Sequence, residues 1–397
     1  MAHNDKGVSR RNVLKGVGAS VATASVGSGL AAAKPDDTVE VNVGFASERG
    51  RKAALDKASE TVREFNSIDA VTLRLPKKAA TALEKSPNIR YVEQNGTMEA
   101  LAQTLPWGID RVDAEVAHAN GETGAGADIA IVDTGIDDDH PDLQGNLGAG
   151  ESFVSCGNGG YFGNCAWSGN SNSCNRSWSD DNDHGTHCAG TANAVNNGEG
   201  VVGVSTEATL HAVKVLDCAG SGSFSDIAAG VEYVADQGWD VASLSLGGDS
   251  SSQTLKDAVQ YANDSGVLVV VAAGNPGPCT DCVKYPAKYE EVVAVSATTE
   301  SDSLADFSAQ GPEVDIAAPG KGVYSTVPSG YANFDGTSMA CPHVAGAGGQ
   351  LMASGKSNSE ARNALESTAE DIGLSSNEQG NGLLDVAAAL GLDSSDN

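Results

Sequence analysis

A doubly wound α/β fold, with a mostly parallel sheet and helices on both faces, is predicted for residues 102–397 by three observations. Apolar, β-branched runs recur along the segment. Helix-length stretches separate them. The two strongest chemical motifs fall where strands of such a sheet would end. The runs are Asp128–Val132, Thr209–Val215, Val241–Leu246, Val267–Ala272 and Val292–Ala297. Their nearly continuous hydrophobicity marks strands covered on both faces. The helical stretches are Gly185–Ala194, Ser225–Gln237, Ser252–Ser265 and Ser338–Ala353, followed by a last helix over Gly382–Leu390 and a polar tail, Asp393–Asn397. There is no internal repeat and no long linker.

Two further segments precede this body. Residues 1–33 contain Ser9-Arg10-Arg11-Asn12-Val13-Leu14-Lys15 and then a small-residue apolar run to Ala31-Ala32-Ala33, the pattern of a removable twin-arginine export signal. The run is too short and weakly apolar to anchor the chain in a membrane. Residues 34–101 alternate strand-like stretches (Val39–Phe45, Ala70–Leu75, Ile89–Glu93) with helix-like ones (Lys52–Phe65, Lys77–Lys85), predicting a small α+β domain. Its 11 basic and 11 acidic residues cancel, whereas residues 102–397 hold 9 against 41. A neutral module ahead of a highly acidic body is the layout of a propeptide.

The net charge of −29 excludes nucleic acid as a partner, because phosphate would be repelled. Concentrated salt would screen the self-repulsion of such a surface, and the chain is expected to be salt-adapted. The eight cysteines all lie in the acidic body and form no paired CxxC motifs, which favours disulfides in an exported protein over zinc.

Three residues carry the candidate chemistry. Ser338 lies in Gly336-Thr337-Ser338-Met339-Ala340-Cys341-Pro342-His343, between a glycine turn and a new helix whose N-terminus favours a developing oxyanion. Pro342 is expected in the first turn of that helix, where proline is tolerated. His184 opens another helix, in Asp183-His184-Gly185-Thr186-His187-Cys188-Ala189-Gly190, well placed as a base for the serine proton. Asp133 closes the apolar run Ile129-Ala130-Ile131-Val132, and an acid there needs a partner such as a histidine ring nitrogen. Asn275, after Ala272-Ala273-Gly274, supplies a side-chain amide as a candidate oxyanion donor.

In the order Asp133, His184, Ser338, with Asn275 between the last two, these motifs closely resemble those of the subtilisin-like serine proteases. The resemblance covers nearly all of residues 102–393, and residues 39–98 look like the family's inhibitory propeptide. With the acid excess and export signal, the chain is most similar to the halolysins of halophilic archaea. The resemblance implies a secreted endopeptidase, monomeric, acting on proteins and peptides and inhibited by its own propeptide until self-cleavage after Leu101. Ser245, Leu246, Gly247 and Gly248 would pair with one side of an extended substrate and Gly220, Ser221 and Gly222 with the other. Calcium would be held by side chains of Gln103, Asp142 and Asn197 and carbonyls of Val195, Glu199 and Val201. A weaker cation site would involve Ala287, Tyr289, Val292, Glu313 and Asp315. The alternative, a non-catalytic calcium-binding surface protein on the same fold, would require a broken triad position, and none is broken.

Four features depart from the family pattern. The interval between Asp133 and His184 is long and carries Cys156, Cys165 and Cys174, which with Cys218 are expected to form two bridges of open pairing. Cys279 and Cys282 would stiffen a wall of the primary pocket. Cys188 and Cys341 are expected to be small buried thiols, with a bridge between them as the other reading. Lys284 is expected near the floor of the primary pocket, where acidic side chains would be tolerated.

Overall fold

The computed structural model describes residues 38–95, 103–157 and 174–394. The chain divides into two compact units, Met1–Ala100 and Leu101–Asn397. The export signal, the expected processing point after Leu101, Ala102 and Cys165 lie outside the described residues.

In the first unit, strands β1 (Thr38–Phe45), β2 (Glu60–Glu64), β3 (Ala70–Pro76) and β4 (Ile89–Gln94) form an antiparallel sheet in the order β2-β3-β1-β4. Helices α1 (Glu48–Leu55) and α2 (Lys77–Glu84) complete it. Val41, Val43, Leu73, Leu75 and Leu83 make the core. The helix expected over Lys52–Phe65 is corrected. It starts earlier, capped by the Ser47 side chain, and ends before Asp56. Residues 60–64 are instead an edge strand exposed along its whole length. Such a strand buries nothing, so no apolar period betrays it, and only the β-branched Thr61 and Val62 favour it.

The second unit is built on seven strands: β5 (Asp128–Asp133), β6 (Glu151–Ser152), β7 (Thr209–Lys214), β8 (Val241–Leu244), β9 (Leu268–Ala272), β10 (Val293–Thr298) and β11 (Ile316–Pro319). Their order is β11-β10-β9-β8-β5-β7-β6, and every neighbouring pair is parallel. From the β5/β8 pair, β8 to β11 run outward in chain order on one side, while on the other β7 lies between β5 and β6; the chain reverses direction across the sheet at this pair, which leaves a cleft at the strands' carboxyl ends. Helices α3 (Trp107–Arg111), α4 (Ala114–Ala119), α5 (His184–Asn193), α6 (Phe224–Gln237), α7 (Gln253–Asp264), α8 (Thr337–Ala353) and α9 (Asn358–Thr368) pack around the sheet. Alternation within β5 shows the two faces. Ile129 and Ile131 pack with Ala189 and Ala192 of α5 and Val344 and Leu351 of α8, while Ala130 and Val132 pack with Val231 of α6 and Val259 of α7. No helix among the described residues is long and apolar enough to cross a membrane.

The sequence reading missed β11 and the hairpin of β12 (Val323–Val327) and β13 (Gly330–Phe334). β11 is Ile-Ala-Ala-Pro and β13 Gly-Tyr-Ala-Asn-Phe, and neither shows the β-branched run that marked the other strands. The last helix is shorter than expected, Val386–Ala389.

Pro342 also differs from expectation. Helix α8 begins at Thr337, so the proline sits in the second turn, inside the helix. It lacks the N–H that would have bonded to the carbonyl of Ser338. That carbonyl is taken from outside the helix, by Ser245 Oγ at 2.8 Å and Cys188 Sγ at 3.4 Å.

Helix α8 runs close to α5 where Gly346 faces it. A Cβ on Gly346 would lie 2.6 Å from the Ala192 carbonyl and 2.8 Å from Val204 Cβ. Gly346→Ala is expected to lower stability by about 1–3 kcal/mol through overpacking, read as a drop in denaturation midpoint in concentrated salt. An unchanged midpoint would show that the two helices can part at no cost.

Candidate active site

Asp133 is the last residue of β5 and is fully buried. His184 is the first residue of α5. Its Nδ1 lies 2.7 Å from Asp133 Oδ1, and because a carboxylate can only accept, Nδ1 carries the proton. Nε2 is thereby left as the basic nitrogen. A second layer holds this contact. Thr134 N–H donates to Asp133 Oδ1 at 2.7 Å, and Thr134 Oγ1 accepts from Gly185 N–H at 2.8 Å and donates to Asp180 at 2.8 Å. Asp180 also accepts from the backbone and hydroxyl of Thr186 at 2.9 and 2.6 Å, tying down the first turn of α5. The residue before His184, Asp183, has φ of 98°, a conformation costing a non-glycine residue about 1–3 kcal/mol. Burial, then the charge of Asp180, pushes the Asp183 carboxyl up to about 6.

Burial alone would lower the proton affinity of His184. The Asp133 charge and hydrogen bond outweigh it and hold the imidazole well above the ordinary histidine range. Cys188, one turn along α5 with its sulfur 4.0 Å from Nδ1, adds to this rise, while burial raises its own thiol. Cys188 and Cys341 are both unbridged and buried, and burial pushes Cys341 up to about 12. Neither thiol can compete with Ser338 as nucleophile.

Ser338 lies in the first turn of α8, its hydroxyl donating to the Ser245 carbonyl at 3.1 Å. Asn275 follows β9, and its Oδ1 accepts from Thr337 N–H and Thr337 Oγ1 at 2.8 and 2.9 Å. With the oxygen so engaged, the amide N–H groups are the donors left for a developing oxyanion. The orienting role of Thr337 was not foreseen, although its place beside Ser338 was visible.

The expected substrate edges line two adjoining cavities. One, of about 490 Å³, is bordered by His184, Leu216, Gly220, Ser221, Gly222 and the segment Ser245–Gly248. The other, of about 320 Å³, is bordered by Ser338, Asn275, Gly274, Ser245–Gly247 and Lys284. Lys284 does reach this second cavity, but its ammonium is paired with Asp249, which offsets its charge. The disulfide Cys279–Cys282 forms, as does Cys156–Cys174, and Cys218 is likewise disulfide-bonded.

The loop residues expected to hold calcium come together. Gln103 Nε2 donates to the carbonyls of Val195 and Val201 at 2.7 and 2.9 Å, and Asn197 Nδ2 donates to buried Asp142 at 3.2 Å. Two carbonyls and a carboxylate therefore converge on points filled by amide N–H groups. Turning either amide over presents its oxygen instead, so this all-oxygen set fits calcium. Glu199 joins the loop through its N–H, which donates to Asn197 Oδ1 at 2.8 Å. The second expected site is arranged differently. Asp315 pairs with Arg362 at 3.0 Å and Glu313 approaches Lys288 at 3.7 Å, so the protein's own cations meet both carboxylates, while Ala287, Tyr289 and Val292 are buried beside them.

Comparison with known proteins gives a consistent result. The profile of the subtilase family matches residues 124–382. The chain is 44% identical over 333 residues to the alkaline protease of Alkalihalobacillus alcalophilus, covering 83% of this chain and 81% of that one. It is 39% identical over 374 residues to subtilisin E of Bacillus subtilis, with 91% and 93% covered. Alkaline elastase YaB of a Bacillus species is 42% identical over 339 residues, with 85% and 83% covered.

The histidine environment sets a pH dependence. Neutral His184 is the reactive form, so kcat/KM on a peptide amide is expected to fall on the acid side through a midpoint above the ordinary histidine range. Asp133→Asn removes the charge that opposes burial, so the midpoint should move to lower pH while kcat drops on the order of 10⁴-fold. A pH–rate profile in which the variant's midpoint stays put or rises would contradict this origin.

Proposed function

Because the chain belongs to the subtilase family and is a serine endopeptidase, we propose that it works as a secreted, salt-adapted enzyme of broad specificity, made as a self-processing zymogen. The observation that supports the mechanism is that the cavity lined by His184, which Asp133 orients, adjoins the one lined by Ser338 and Asn275 across the shared segment Ser245–Gly247. Ser338 attacks the peptide carbonyl and His184 accepts its proton. The negative oxygen that forms is held by the Asn275 amide and the Ser338 backbone N–H. His184 then returns the proton to the leaving amine, and water releases the acyl group by the same route.

Substrate lies extended between Ser245–Gly248 and Gly220–Gly222, so backbone pairing carries much of the binding and sequence tolerance follows. The acid excess of residues 102–397 supports function in concentrated salt, and the halolysins remain the type it fits. Export by the twin-arginine signal, inhibition by residues 34–101 and cleavage after Leu101 complete the scheme. The enzyme acts as a monomer, without nucleic acid or a membrane anchor. Calcium is held by Gln103, Asp142, Asn197 and the carbonyls of Val195, Glu199 and Val201, where it fastens the segment after the cleavage point to the loop beyond α5.

Ser338→Ala should abolish casein digestion in concentrated salt, with kcat lower on the order of 10⁶-fold. It should also accumulate as the chain with residues 34–101 still attached, seen by mass and N-terminal sequencing. Casein digestion at the parental rate would overturn the mechanism, and trimming after Leu101 in the variant would overturn self-processing. Calcium removal should shorten the enzyme's half-life at elevated temperature, and Asp142→Asn should be short-lived with or without calcium. A variant still protected by calcium would place the ion elsewhere.

A further inference from the structure

Lys214 is the last residue of β7, one of the largest side chains in the protein to be fully buried. A buried ammonium is costly unless all its protons find acceptors. Here all three do. Lys214 Nζ donates to the Thr134 carbonyl at 2.5 Å, to Asp181 Oδ1 at 2.6 Å and to the Leu216 carbonyl at 3.0 Å. These acceptors belong to three different segments of the active site. Thr134 follows Asp133 and donates its own N–H to that carboxylate. Asp181 stands three residues before His184 and is itself almost buried. Leu216 begins the edge that runs to Gly220–Gly222, borders the larger cavity and donates its N–H to the Asp133 carbonyl at 3.1 Å.

Asp181 extends the link further. Its other oxygen accepts from Gly157 N–H at 2.8 Å, in the loop closed by Cys156–Cys174. The long insertion ahead of His184 is thus joined to the same ammonium. None of this serves proton transfer. Replacing a buried ion pair with apolar groups of similar volume often leaves stability unharmed, so the need for a charge here lies in fixing geometry.

We propose that Lys214 and Asp181 are positioning residues, a buried ion pair that sets the Asp133 turn, the approach to His184 and the substrate edge at Leu216 relative to one another. The proposal rests on the protease reading and can fail without it.

The test uses the mature enzyme in concentrated salt, with Lys214→Met, Asp181→Asn and the double variant. A fluorophosphonate label on Ser338 counts competent sites, near-UV circular dichroism reports the fold, and a tetrapeptide anilide separates kcat from KM. Each single variant is expected to keep its fold and lose about 10–100-fold in kcat per labelled site, since small misplacements of catalytic groups have effects of that size. KM should rise as well, because the Leu216 edge shifts. The double variant should lose no more than the worse single, as for groups acting as a unit. Folded variants with kcat and KM within twofold of the parent would overturn the proposal, as would losses that multiply in the double variant. If Lys214→Met does not fold, Asp181→Asn decides alone, by loss of kcat or its retention. Loss of the label from every preparation of the parent would instead refute the protease reading.

Discussion

The hydrogen bond from His184 to Asp133 sets the terms for everything around it. It joins the end of a central strand to the start of a helix some fifty residues later, and the two backbones must come unusually close. A Cβ on Gly185 would lie 2.1 Å from the Gly135 carbonyl, and Gly135 itself has φ of 111°. Only glycine fits both places. Thr134, Asp180 and Thr186 bond to one another and to the Gly185 N–H around this contact, so the imidazole is held by a network rather than by its aspartate alone, although Asp133 Oδ2 is buried without a partner.

Much of the site was legible in the sequence, for a physical reason. Asp133, Asn275 and Ser338 stand at element boundaries, where apolar runs give way to glycine, and His184 opens a helix of small residues. What could not be read was anything depending on contacts between distant segments. Nothing in Val213-Lys214-Val215, within the strand expected over Thr209–Val215, shows that the Lys214 ammonium meets three segments. Arg362, more than forty residues beyond Asp315, could not be foreseen as that carboxylate's partner. Elements such as β2 and β13 carry neither an apolar period nor a sustained β-branched run, so little in the sequence marks them as strands.

The charge distribution looks different once the cations are placed. Residues 102–397 contain nine lysines and arginines, and seven of them form ion pairs: Arg111, Arg176, Lys214, Lys284, Lys288, Lys321 and Arg362. Lys256 instead stands over the Tyr289 ring. Basic residues have thus been kept chiefly where they hold structure together, and the rest of the surface is left to carboxylates. Exposed pairs of this kind are worth little, and less in salt, whereas buried ones such as Lys214–Asp181 are hardly screened. The buried pair is therefore the one whose geometry depends least on the salt around the protein.

Pro342 deprives the Ser338 carbonyl of its partner within the helix, and Ser245 and Cys188 supply it from outside. Ser245 directly follows β8, and Cys188 belongs to the helix that carries His184. The start of α8 is consequently fastened sideways, to the two elements it must cooperate with, more than lengthwise to its own second turn. A shift of Ser245 would reach the backbone of Ser338 through one bond, without first bending a helix. A residue usually regarded as a helix breaker thus couples the start of α8 to its neighbours.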